Sequence, residues 1–174
     1  FRIRRNETNI GMDRNVAELT RDATGRFVWW MGDDDWVREG FLEWVCAHLE
    51  GASQDFFFVP AGANADSTRL LGVSSPLTAR LWDLCCQHGF IRMLGTLGHC
   101  LFRRELVRDY SPIASLGLCV AHDFGLLMSL KNSQAELLTT GGFDVTPLAG
   151  GHLTDYRDRW SAENICDGWY NTGL

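Results

Sequence analysis

Along this chain, stretches with apolar residues at helical spacing alternate with short unbroken apolar runs, and that alternation predicts most of its elements. From Asp13 to Thr24, the positions Val16, Ala17, Leu19, Thr20 and Ala23 recur on one helix face. Gly25 follows, a residue suited to closing a helix through positive φ. Phe27-Val28-Trp29-Trp30-Met31 is a continuous apolar run between turn signals, the pattern of a strand buried on both faces. A second helix is expected from Trp36, with Val37, Phe41, Trp44, Val45, His48 and Leu49 on one stripe and Gly51 at its end. Phe56-Phe57-Phe58-Val59-Pro60 reads as the next buried strand, and residues 61–76 as a loop rich in Gly, Ala, Asn and Ser. Helical spacing returns over 78–88 and 123–130. Between them Cys100-Leu101-Phe102 forms a strand. Residues 137–148 read as a strand pair or extended segment, and 154–170 as a terminal amphipathic helix.

Strands alternating with helices imply an α/β layered fold with a largely parallel sheet. The 174 residues suit one domain, and 45% hydrophobic content with seven Trp supplies a core. The 16 basic residues, of which Lys131 is the only lysine, face 22 acidic ones. A net charge of −6 disfavours a surface built to grip nucleic acid. No run approaches the roughly 18 apolar residues of a membrane span. The six Cys (46, 85, 86, 100, 119 and 166) lie in apolar or helical stretches and contain no C-x-x-C pair. They read as buried thiols of a reducing compartment rather than as zinc ligands at Cys85-Cys86-Gln87-His88 or His99-Cys100.

Chemistry concentrates where the first apolar run meets Gly32-Asp33-Asp34-Asp35. In open α/β sheets ligands sit outside the carboxyl ends of the strands, and this trio follows directly on one. Three adjacent carboxylates repel one another, and a divalent cation relieves the repulsion. Hard oxygen donors suit Mg2+ or Mn2+, which carboxylates commonly hold together with substrate phosphates. The competing reading is that the trio caps the helix expected from Trp36; capping accounts well for one aspartate and poorly for three.

The stretch Asn9-x-Gly11-x-x-x-Asn15, followed by Ala23-x-Gly25-Arg26-Phe27 and the apolar run into Asp33-Asp34-Asp35, resembles the family 2 glycosyltransferases of GT-A fold. Their pattern is an N-x-G turn, an Asn in the next helix, an A-x-G helix end, an apolar strand and a D-x-D metal motif. The likeness is strongest to enzymes of bacterial surface-polysaccharide synthesis, abequosyltransferase-like members among them. It covers 1–130 well and 131–174 loosely. Its implied fold is a GT-A, Rossmann-like three-layer α/β sandwich, with 1–174 as a partial catalytic domain lacking its first strand–helix–strand unit. Such a piece is expected to be poorly stable or inactive alone. Gly32 stands where the family usually has an aspartate.

The resemblance implies roles residue by residue. With Gly32 in place of the usual aspartate, the metal pair is either Asp33 with Asp35 or Asp34 with its neighbour. Matched position by position, Asp34 falls on the aspartate that most directly meets the metal and Asp33 on the one that approaches the ribose. Asn9 and Arg14 face the donor. Gly95-Thr96-Leu97-Gly98 matches a glycine loop beside the donor sugar. Asp123, in Ala121-His122-Asp123, falls on the general base, His122 replacing the common Glu; the plain alternative is a helix N-cap. His152 is the candidate to complete the metal or diphosphate site, or else a surface loop residue. Arg157 and Arg159 either steady the diphosphate, since guanidinium matches phosphate bidentately, or line a solvated helix face.

The implied reaction is an inverting transfer from a nucleotide-diphosphate sugar to a hydroxyl of a saccharide or lipid-linked saccharide, assisted by Mn2+ or Mg2+. The implied location is cytoplasmic; many relatives act on lipid-linked acceptors, which makes the inner face of the membrane an alternative, though no helix here has the basic-amphipathic character that would argue it. Two rivals stand beside it. A sugar-phosphate nucleotidyltransferase shares the layering and acidic metal residues but normally opens on a glycine-rich basic loop. A degenerate transferase serving as a carbohydrate-binding module would share the fold without the chemistry.

Overall fold

Three consecutive phenylalanines on a strand point to alternate sides, so burying all of them requires cover on both faces of a sheet. In the computed structural model Phe56, Phe57 and Phe58 are all fully buried. It describes residues 3–32, 35–62, 78–89, 94, 97–107, 126, 127, 129, 130, 132–138 and 143–145, the last three by backbone alone. The elements are α1 (Met12–Asp22), β1 (Phe27–Trp29), β2 (Asp35–Val37), α2 (Phe41–Glu50), β3 (Phe56–Phe58), β4 (Thr78–Arg80), α3 (Leu81–His88), β5 (Cys100–Arg103), β6 (Gln134–Leu137) and β7 (Phe143–Val145). Short 3-10 turns, Leu97–His99 and Arg104–Val107, flank β5.

The main sheet runs β1-β5-β3-β6-β4, and its register delivers alternate side chains to two cores. On one face Val28, Phe102, Phe56 and Ala135 line up across the strands and pack with Val16 of α1, Leu81, Leu84 and Cys85 of α3, and Leu126, Leu127 and Leu130. On the other, Trp29, Leu101 and Phe57 meet Phe41, Val45 and Leu49 of α2. Helix, sheet, helix is the three-layer arrangement the sequence predicts. Each large side chain so buried contributes roughly 1.5–3 kcal/mol.

Strand direction departs from expectation. Only β3 and β6 pair in parallel; β1–β5, β3–β5 and β4–β6 are antiparallel. A continuous apolar run reports burial on two faces and carries no information on the direction of its neighbour. β5 enters between β1 and β3 in the opposite sense, so β1 and β3 are parallel to each other across it.

Several boundaries move for identifiable reasons. Trp36 starts no helix: residues 35–37 pair with β7 in a separate two-stranded sheet, Asp35 opposite Val145 and Trp36 opposite Asp144. α2 waits until a left-handed Gly40 (φ 77°) turns the chain. Val37 still packs against the core that α2 covers, which is why it matched the helical stripe. α1 ends where Ala23 turns extended, and Gly25 has no positive φ. The Gly25 carbonyl instead accepts from Arg104 Nε at 2.9 Å. Residues 78–80, expected to be helical, form edge strand β4, and Leu81 N–H reaches Ser133 O at 3.0 Å as α3 begins. β6 starts at Gln134, ahead of the expected 137, and β7 joins a different sheet. Residues 126, 127, 129 and 130 are helical as expected, while the expected 154–170 helix lies outside the described residues. Of the four described cysteines, Cys85 and Cys100 are buried but Cys46 and Cys86 are exposed, correcting their reading as buried thiols.

Two polar ties fix the layers. Trp30 Nε1 donates to Thr20 Oγ1 at 2.9 Å, and that hydroxyl donates to Val16 O at 2.7 Å, locking α1 to β1. At the opposite end of the strands Arg103 pairs with Asp55 at 2.8 Å and donates to Gln54 O, while Arg26 caps α2 through Leu49 O at 2.6 Å.

Two outcomes follow for stability, read from urea unfolding. Phe57→Ala is expected to cost about 3–5 kcal/mol through the cavity it leaves. Thr20→Val removes the acceptor of a buried indole N–H and is expected to cost about 1–3 kcal/mol.

Candidate active site

Because β1, β3 and β6 all point one way and β5 runs against them, one edge of the sheet gathers three strand carboxyl ends and the start of β5. The chain leaves β1 at that edge and enters the Gly32–Asp35 turn. Gly32 N–H donates to Asp35 Oδ2 at 2.7 Å, and Asp35 N–H reaches Gly32 O at 3.3 Å. Asp35 is therefore tied back to Gly32 through both its side chain and its backbone. It sits in β2, six residues ahead of α2, so the reading of the trio as a helix cap does not hold. Asp33 and Asp34 themselves lie outside the described residues.

α1 connects to β1 through four residues and contacts it at Thr20–Trp30, so it runs back along the sheet. Its first turn lies about 12 Å further along the helix from Thr20, on the side to which β1 leads. Asn9 stands just before it, and its Oδ1 accepts from Gly11 N–H at 2.9 Å. That short bond and the positive φ of Gly11 (78°) build the turn into α1, the physical content of the N-x-G pattern. Asn6 Nδ2 donates to Asn15 Oδ1 at 3.2 Å across the same turn. Arg14 is exposed on the first turn of α1. Among the predicted site residues the structure describes Asn9 and Arg14 at the start of α1 and Asp35 in the turn that follows β1. Gly95, Asp123, His152, Arg157 and Arg159 lie outside the described residues. Among the described residues no three His, Cys, Asp or Glu side chains are grouped to hold a metal ion, the His99-Cys100 neighbourhood included.

What the sequence did not signal is how firmly the start of β5 is held there. Trp29 Nε1 donates to Gly98 O at 2.8 Å, Val59 N–H to His99 O at 3.0 Å, and Trp30 N–H to Cys100 O at 3.2 Å. Three consecutive carbonyls are taken by the Trp29 indole and by the backbone N–H groups of Val59 and Trp30, the residues just past β3 and β1, which ties Gly98 to the chain that feeds the acidic turn. His99 packs on Phe58, ring centroids 4.6 Å apart, and desolvation lowers its pKa from 6.5 to about 4. It is a neutral imidazole at physiological pH. Asp13, in the first turn of α1, is buried. Nothing in its spacing distinguished it from an ordinary first-turn acid.

No protein-family model matches this chain, and no curated protein does. Among solved structures it is similar to S. aureus TarS 1–349, at 17% identity and a TM-score of 0.58 over 81% of this chain and 42% of that one. It is also similar to the same protein in complex with UDP-GlcNAc, at 16% identity and a TM-score of 0.55 over 83% and 41% respectively. The chain spans about two fifths of the length of these structures. At this identity the likeness shows the fold, a GT-A-like α/β sandwich.

The desolvated imidazole makes stability depend on pH in a definite direction. Unfolded His99 binds its proton near 6.5 and the folded residue only near 4, so between these values the unfolded chain holds more protons. The contribution is present in full above pH 6.5 and is lost as pH falls toward 4, at most about 3 kcal/mol. Urea midpoints at pH 7 and pH 4.5 are expected to differ less in His99→Asn than in the unmodified chain.

Proposed function

We propose that this chain is part of a glycosyltransferase that moves a sugar from a nucleotide-diphosphate donor to a hydroxyl acceptor. One observation carries the reading: an acidic turn, closed by its own third aspartate, leaves the carboxyl edge of a GT-A-like sheet. The likeness to a chain solved with UDP-GlcNAc supports a nucleotide sugar as donor. The finer reading is an inverting enzyme of bacterial surface-polysaccharide synthesis, with a saccharide or lipid-linked saccharide as acceptor. Among the described residues no helix is long and apolar enough to cross a membrane; work at the inner membrane face stays part of the proposal.

The donor set fits a hard cation. Asp35, tied to Gly32, is preceded in the sequence by two more carboxylates, and oxygen donors of this kind suit Mg2+ or Mn2+. Asp33, Asp34 and Asp35, with His152, are the residues that would hold the ion. When bound, it supplies positive charge against the departing diphosphate.

The chain's own residues do the rest. Asn9 shapes the turn into α1, and Arg14 on that helix meets the donor, as does Gly95 from the loop ahead of β5. Arg157 and Arg159 steady the diphosphate by paired N–H donors. Asp123 takes the proton of the acceptor hydroxyl as that oxygen attacks the anomeric carbon from the face opposite the leaving group. An ordinary carboxylate suffices if proton transfer is late, after attack has acidified the hydroxyl.

The test is UDP release from UDP-GlcNAc by the full-length protein with and without Mn2+, alongside donor binding by calorimetry. Asp123→Asn is expected to slow release by about 10²–10⁴-fold with donor affinity nearly unchanged. Asp34→Ala is expected to abolish the Mn2+-dependent part of donor binding. Normal turnover by Asp123→Asn would remove the base assignment, and metal-independent binding in the unmodified protein would remove the role given to the aspartates.

A further inference from the structure

We propose that Trp36, braced by Arg38, is a stacking platform for a pyranose ring of the acceptor saccharide. This rests on the transferase reading above and extends it to the acceptor side.

Trp36 is the most exposed of the described tryptophans, at 49%. Trp29 and Trp30 spend their indole N–H groups on Gly98 O and Thr20 Oγ1 and pack edge-on against Phe41 and Phe102. Trp44 is stacked between Phe41 and His48. Trp36 follows directly on the acidic turn. Along β2, Asp35 and Val37 are partly buried while Trp36 is turned outward, the alternation of a strand. Ladder pairing with β7 holds its backbone, so the indole stands on a regular element next to the proposed reaction centre.

Arg38 determines how the ring is presented. Its guanidinium carbon lies 5.3 Å from the Trp36 ring centroid, covering one face by a cation–π contact. Arg38 is itself half-buried, and its carbonyl accepts from Phe41 N–H at 3.1 Å where α2 begins, so the brace is anchored. A pyranose matches the ring face opposite Arg38: its C–H face carries slight positive charge and suits the electron-rich indole.

Location separates this platform from the donor. α1, which carries Arg14 and follows Asn9, packs on one face of the sheet through Val16. Val37 and α2 belong to the core on the opposite face. A donor nucleotide held from the α1 side leaves the Trp36 side to the incoming acceptor.

The test is a ¹H–¹⁵N indole spectrum of the full-length protein, with the Trp36 signal assigned by Trp36→Phe. The probes are methyl glycosides of glucose, galactose, rhamnose and N-acetylglucosamine, and UDP added separately. A saturable shift of the Trp36 signal with at least one glycoside, unmoved by UDP, is the expected result. Trp36→Ala is expected to weaken that glycoside by about tenfold, with Trp36→Phe recovering most of the loss. A Trp36 signal silent to every glycoside, or moved by UDP alone, overturns the platform. Donor turnover measured beside it separates the two readings: turnover with a silent Trp36 removes only the platform. Glycoside binding at Trp36 without turnover in any condition supports the platform as a saccharide site and removes the transferase.

Discussion

Burial of one short-stranded sheet on both of its faces is the constraint from which the other features follow. The strands are three or four residues long, so each contributes few ladder bonds, and stability has to come from side chains on both sides. The register row Trp29–Leu101–Phe57 serves the α2 core, and the row Val28–Phe102–Phe56–Ala135 serves the core under α1 and α3. A slip of one residue in any pairing would exchange the two cores. That mutual dependence locates β5 between β1 and β3 and thereby decides which loops share an edge.

At that edge, precision comes from bonds between elements far apart in the chain. The Trp29 indole grips Gly98 from 69 residues away, and Thr20 grips Trp30 through a buried hydroxyl. The acidic turn is therefore referred to a rigid sheet on one side and to α1 on the other, while its own closure is local, through Asp35 and Gly32. Polar groups at the far end of the strands, Arg103 with Asp55 and Arg26 with the end of α2, hold the sheet without entering the site.

The candidate site was legible to the extent that its chemistry is local. The turn built by Asn9 and Gly11 and the tie from Asp35 back to Gly32 are short-range features, each closed within a few residues. Asp35 as a strand residue was not legible, because its ladder partner Val145 lies 110 residues downstream. The same distance hid the outward presentation of Trp36. Hydrophobic spacing could not warn of it, since Val37 faces the same core whether residues 35–37 are strand or helix.

The layered α/β class and the two-sided burial of 56–59 came from the sequence by itself, whereas 27–31, expected to be buried on both faces, supplies an edge strand that is only partly buried. Each depends on which neighbouring residues are apolar, and a chain carries that information locally. The antiparallel insertion of β5, the small sheet of β2 with β7, the neutral state of His99 and the tie from Trp29 to Gly98 were decided only by the tertiary structure. They depend on which distant backbone satisfies a given N–H or carbonyl, and on how much water is excluded around a side chain once the layers close. Neither quantity exists until the chain has folded.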